Sequence, residues 1–143
     1  MRSLAWFVRA CAVYNAIGAL AFVTPGALDL LGVRSPGSTF WLWLPALFAT
    51  FAAIVLWVSS NDLGRLAALP YWNGIIRFTW VFLTLALDFG TQVGSFATLL
   101  ALGDLPLAVG AVIVLPRVLG RSHLSLLTLD MPHRGGRPAV GQR

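Results

Sequence analysis

Residues 71–90, YWNGIIRFTWVFLTLALDFG, form an apolar run with one arginine, Arg77, inside it. The run is long enough to cross a bilayer, since a spanning helix needs about 20 mostly apolar residues. Few folds admit such a segment. In lipid the backbone has to satisfy its own hydrogen bonds, so the run crosses as an α-helix, and the charge within it needs partners from neighbouring helices. Three further apolar runs accompany it, and the four expected spans are 4–23, 40–58, 72–89 and 96–115. The expected fold is all-α: a polytopic membrane protein with a four-transmembrane-helix bundle over residues 1–116 and a basic tail over 117–143.

Composition supports a membrane domain with no soluble domain beside it. Of 143 residues, 58% are hydrophobic and 10% charged, too little charge to cover a water-facing surface. The net charge of +5 comes from arginine alone, with no lysine and no glutamate. The arginines are scattered at helix ends and in the tail, a topology signal rather than a nucleic-acid surface, so no nucleic-acid partner is expected. Cys11 is the only cysteine, which excludes an internal disulfide. It lies inside the first run and reads as a buried, inert thiol. That run follows a short basic start, as a signal peptide would. Arg9 and Asn15 interrupt it, however, and no clear cleavage site precedes Asp29, so it is read as a retained helix.

Turn chemistry separates the spans. Thr24-Pro25-Gly26 ends the first, and the following ALDLLGV is expected to lie on the membrane surface. Ser35-Pro36-Gly37-Ser38 is a turn, Pro70 a boundary before the third span, residues 90–95 a short turn, and Pro116 the stop of the fourth. In the tail, HLSLLTLDM is apolar enough to lie along a membrane or a partner, and residues 132–143 read as flexible. An even number of spans puts both termini on one side, with Arg2, Arg65, Arg117, Arg121, Arg134, Arg137 and Arg143; Arg9 and Arg77 lie near that side, and only Arg34 lies on the other. Both termini are therefore expected to be cytoplasmic.

Polar side chains inside the spans are the candidate site. At 1.5 Å rise per residue, Arg9 and Arg77 lie roughly 7–9 Å above the cytoplasmic edge, and Tyr14 and Asn15 at roughly 15–17 Å. Asp104, counted from the outer start of its helix, comes at about 18 Å on the same scale in a core about 30 Å thick. A charge at mid-membrane costs about 2.5–3.5 kcal/mol, so Asp104 is expected to be protonated or paired with Arg77 or Arg9. Pro106 cannot donate to the carbonyl of Leu102, and a kink beside Asp104 is expected. Two readings stay open for Arg77, Asp104, Arg9, Asn15 and Tyr14: an ion pair that holds the bundle together, or a site for a lipid, a quinone or another small ligand.

Catalysis is not expected. His123 and His133 both lie in the tail, so axial histidine ligation of haem within the bundle is excluded. No metal-ligand spacing and no Ser/His/Asp arrangement is present, and no catalytic residue, metal or cofactor is assigned.

Tyr14-Asn15 with Gly18 and Pro25, Arg77 in the third span and Gly103-Asp104 in the fourth resemble the small four-helix bacterial inner-membrane proteins grouped as DoxX-like. The resemblance covers most of the chain, mainly through hydropathy. It implies a multi-pass fold in the bacterial inner membrane and hints at an accessory role, since some members are subunits associated with quinone-linked oxidoreductases. The expected function is a non-catalytic accessory or binding subunit of a larger membrane complex, in electron transfer or energy conversion. Small size, no chemistry of its own and a tail with an apolar patch that lacks a partner within the chain motivate that reading. The alternative is a free-standing binder or carrier of a hydrophobic ligand, a lipid or quinone, built on Arg77 and Asp104.

Overall fold

A computed structural model describes residues 2–34 and 37–129, and among these there is no strand. The chain runs through α1 (Arg2–Val23), a short α2 (Ala27–Leu30), α3 (Phe40–Ser59), a one-turn α4 (Leu63–Leu66) and α5 (Ala68–Ala86). It continues through α6 (Phe89–Val93), α7 (Ser95–Val109), a π-helical turn (Gly110–Val114), α8 (Leu115–Leu119) and α9 (His123–Leu127). The expected turn at Ser35-Pro36 and the tail over 130–143 lie outside the described residues.

Three helices are long and apolar enough to cross a membrane: Arg2–Val23, Phe40–Ser59 and the continuous rod Ser95–Leu119. The sequence reading counts four. α5 is long enough with 19 residues but not apolar enough, carrying both Asn73 and Arg77.

Several boundaries differ from the sequence reading. Pro70 falls inside the first turn of α5, where its missing N–H would have had no helical acceptor anyway. α5 ends at Ala86 rather than near residue 89, and Asp88 takes a left-handed conformation, φ 50°, before the short α6 in place of a simple turn. Helix α7 runs on through Pro106. Pro116 does not stop the last rod, which continues to Leu119 and ends at Gly120, φ 62°. A proline ring clashes with the carbonyl four residues back in a regular α-helix. The wider π turn just ahead, where the Leu115 N–H reaches back to Gly110 O, relieves that clash.

Packing is pairwise and antiparallel. α1 lies mainly on α3, and α5 on α7 and the π turn. Gly74 sets the second contact: a Cβ there would fall 2.7 Å from Ala111 Cβ and 2.8 Å from Val112 Cγ2, so only glycine permits this approach. Gly110 is held against the ring of Phe7 in the same way, which joins the last rod to α1. Such small-residue contacts are how helices associate in lipid, where no hydrophobic force draws them together. At the far end, the Arg34 N–H donates to Val93 O at 2.7 Å and its guanidinium to Gln92 O at 3.2 Å, tying the first pair to the second.

The main core lies at the end that carries Arg2 and α9. Leu4 and Val8 of α1, Leu56 of α3, Tyr71 of α5, Leu115 of α8 and Leu126 of α9 meet there. Leu126 is fully buried, a position worth about 1.5–3 kcal/mol of apolar transfer. Around it the Tyr71 hydroxyl pairs with His123 Nδ1 at 3.0 Å, and Trp72 Nε1 donates to Leu127 O at 3.3 Å. Leu126 of the tail thus packs inside the chain, while Leu124 and Leu129 stay exposed, and residues 130 and 131 of the apolar stretch lie outside the described residues. The burial of Leu126 has a geometric reason. Gly120 reverses the chain, and Ser122 accepts from the Ser125 N–H to cap α9, which points one leucine back into the bundle.

Candidate functional site

The site begins with the spacing Asn73–Arg77 on α5. Residues four apart share a helix face, and Arg77 Nε donates to Asn73 Oδ1 at 3.0 Å. Because Gly74 draws α5 against the last rod, that face meets α7 at Asp104. Arg77 Nη1 donates to Asp104 Oδ1 in a salt bridge. Both residues are buried, at 5% and 7% exposure. From α1, the ring of Tyr14 lies under the guanidinium, 5.0 Å from Cζ to the ring centroid, in cation–π range. Three helices therefore enclose one cation and one anion of zero net charge, the arrangement that removes the penalty of a lone charge in lipid.

Satisfaction at the cluster is incomplete. Arg77 Nη2 and Tyr14 Oη are buried and make no hydrogen bond of ordinary geometry among the described residues, although the Tyr14 hydroxyl lies near the Asp104 carboxylate. Two turns along α5, Thr84 Oγ1 is in the same position. Each such atom costs about 1–3 kcal/mol if nothing pairs with it. Two of these donors sit side by side on one ion pair, so the cluster presents unmet donor capacity and matches a group that accepts hydrogen bonds.

Of the five residues predicted from sequence, the structure brings together Tyr14, Arg77 and Asp104. Asn15 is not part of the cluster; its Nδ2 donates to the Cys11 carbonyl one turn back at 2.8 Å. Arg9 is also elsewhere. Its Nε donates to Ser60 Oγ and its Nη2 to Asn61 Oδ1, both at 3.1 Å, at the end of α3. The sequence reading missed Asn73, although its i, i+4 spacing to Arg77 was visible. It also missed Thr84, which no sequence signal marks.

Among the described residues, two of the cavities stand out, and neither of these is lined by the ion pair. One, about 250 Å³, sits at the far end between Phe22, Pro25, Leu28 and Trp43. The other, about 350 Å³, is a groove between α1 and α3. Among the described residues, no cluster of three or more His, Cys, Asp or Glu side chains is placed to hold a metal ion. The cluster sets a fixed cation, paired with a carboxylate, beside hydrogen-bond donors in a buried surround.

Comparison with protein-family models, with curated proteins and with solved structures gives no match to this chain.

Proposed function

We propose that this chain is a membrane-embedded binding protein whose Tyr14–Arg77–Asp104 cluster holds the polar end of a hydrophobic ligand, a lipid or a quinone, without chemistry of its own. The observation that carries the reading is the pair of buried donors without a hydrogen bond of ordinary geometry, Arg77 Nη2 and Tyr14 Oη, beside a neutral ion pair. A ligand carbonyl or other acceptor supplies what both atoms lack. The accessory-subunit reading is the alternative, with Leu124, Leu127 and Leu129 of the tail still exposed for a partner.

In this proposal α5 is the fourth crossing. Its 19 residues span about 28 Å at 1.5 Å each, close to the hydrocarbon thickness of about 30 Å. The arginine that lowers its hydropathy is neutralised by Asp104. Arginine placement puts both termini in the cytoplasm, and the DoxX-like resemblance adds the bacterial inner membrane. Reporter fusions after Ser35 and Gly90 should read as periplasmic, and fusions after Arg65 and Arg143 as cytoplasmic; a periplasmic signal at Arg143 overturns the topology.

The binding reading is tested on protein taken from its native membrane in mild detergent, with its co-purifying small molecules extracted and identified. Wild type should carry a hydrophobic molecule with an acceptor headgroup, and Tyr14→Phe should lose most of it, about tenfold for one hydrogen bond of 1.4 kcal/mol. Equal retention by the two proteins overturns the reading. The same sample is sized: a monomer or small homo-oligomer fits a free-standing binder, whereas co-migration with a large assembly restores the accessory subunit.

A further inference from the structure

Arg9 carries a different message from Arg77. Both of its side-chain partners, Ser60 and Asn61, are neutral. Asp62, the acid next along the chain, turns its carboxylate to the Arg65 N–H instead, at 3.3 Å. The one ion pair among the described residues is Arg77–Asp104, so Arg9 holds an uncompensated positive charge. Its guanidinium is clamped between two indoles, 5.5 Å from the Trp6 ring and 5.7 Å from the Trp57 ring. Both tryptophans are exposed at the helix ends, the position such rings occupy at a membrane–water boundary. Nη1 has no partner among the described residues.

Directly along α1 from Arg9 runs the groove of about 350 Å³, lined by Ala12, Val13, Ala16, Ala53, Ile54 and Trp57, with Val58 completing the wall. That volume is within the range of ligand sites, and the lining is apolar. It owes its existence to the alanines, which leave a furrow where larger side chains would close the helix pair. From Arg9 to Ala16 is about 10 Å of helix, the depth reached by the upper part of an acyl chain. Trp57 belongs to both features: its ring faces the Arg9 guanidinium and walls the groove.

We propose that Arg9, Trp6 and Trp57 with this groove form a site for one anionic membrane phospholipid, its phosphate on the Arg9 guanidinium and one acyl chain between α1 and α3. The charge selects the headgroup: guanidinium pairs strongly with phosphate oxygens, and a cation with no carboxylate partner favours a lipid of net negative charge over a zwitterionic one. The site is separate from the Tyr14–Arg77–Asp104 cluster, and neither depends on the other.

The test is native mass spectrometry of delipidated full-length protein given equimolar phosphatidylglycerol and phosphatidylethanolamine with identical acyl chains. Wild type should retain the anionic lipid about fivefold over the zwitterionic one, the preference expected for one arginine near a surface, and Arg9→Gln should bring the ratio close to one. Equal retention by wild type, or an undiminished preference in Arg9→Gln, overturns the proposal. Ala16→Phe serves as the second variant. Ala16 is exposed and lines the groove, so the new ring fills the furrow without entering the core and leaves Arg9 in place. It should reduce retention of the anionic lipid severalfold, and unchanged retention overturns the groove half even if Arg9→Gln does not fold.

Discussion

Arg9 and Arg77 stand on different helices, α1 and α5, yet pose the same problem, a guanidinium on a largely apolar rod, and the molecule solves it in two ways. Arg77 is enclosed by three helices and given a carboxylate. Arg9, half-buried at the helix ends, receives two neutral oxygens and two indole faces. The difference teaches that depth decides the partner. A deeply placed charge needs an opposite charge, because its desolvation penalty is several kcal/mol. A charge at the boundary keeps part of its hydration, and dipoles and ring quadrupoles suffice.

The comparison is broken most forcefully at the deep site. Arg77→Leu or Asp104→Leu strands a buried charge and should each cost about 3–5 kcal/mol. Removing both should cost clearly less than the sum, measured as a double-mutant cycle by thermal unfolding in detergent. Additive losses would show that the two arginines differ only in their surroundings and not in their need for a counter-charge. At the boundary, Arg9→Gln deletes two hydrogen bonds but strands no charge, so its cost should be about 1–2 kcal/mol in the same assay. A loss as large as that of Arg77→Leu would erase the distinction drawn by depth. The smallest effect sharpens the picture. Tyr14→Phe removes a hydroxyl that makes no hydrogen bond of ordinary geometry, so in ligand-free protein it should stay within about 0.5 kcal/mol of wild type or gain stability. A loss above about 2 kcal/mol would mean the hydroxyl is bonded in the folded state after all.

The deep cluster was readable in the sequence to the extent that lipid makes charge conspicuous. Arg77 and Asp104 stand out because so little else in their runs is polar, and their antiparallel helices bring them level. Asn15 stands out for the same reason, yet lies outside the cluster. A polar side chain in a span looks like a site, whereas a bond to the carbonyl one turn back satisfies it within its own helix. Arg9 stands apart from the cluster because a rise per residue gives depth but no azimuth, and its side chain faces α3 instead of α5. Proline was over-read as a breaker. Pro70 and Pro116 are absorbed by a first turn and by a π turn, and the width of the latter is not encoded in any local motif. α9 was out of reach for a different reason: burial of Leu126 depends on where Gly120 sends the chain, a tertiary fact.

That last feature bears on how the chain is made. Leu4 and Leu126 share one core, yet at 5–20 residues per second the second leaves the ribosome about 6–25 s after the first. Throughout that interval α1 is in place with the floor of its core missing. The bundle cannot complete itself helix by helix as the spans emerge; its first helix waits for nearly the last described residues to arrive. A chain cut short anywhere before α9 would lack Leu126 in that core and the hydrogen bonds that tie Tyr71 and Trp72 to α9.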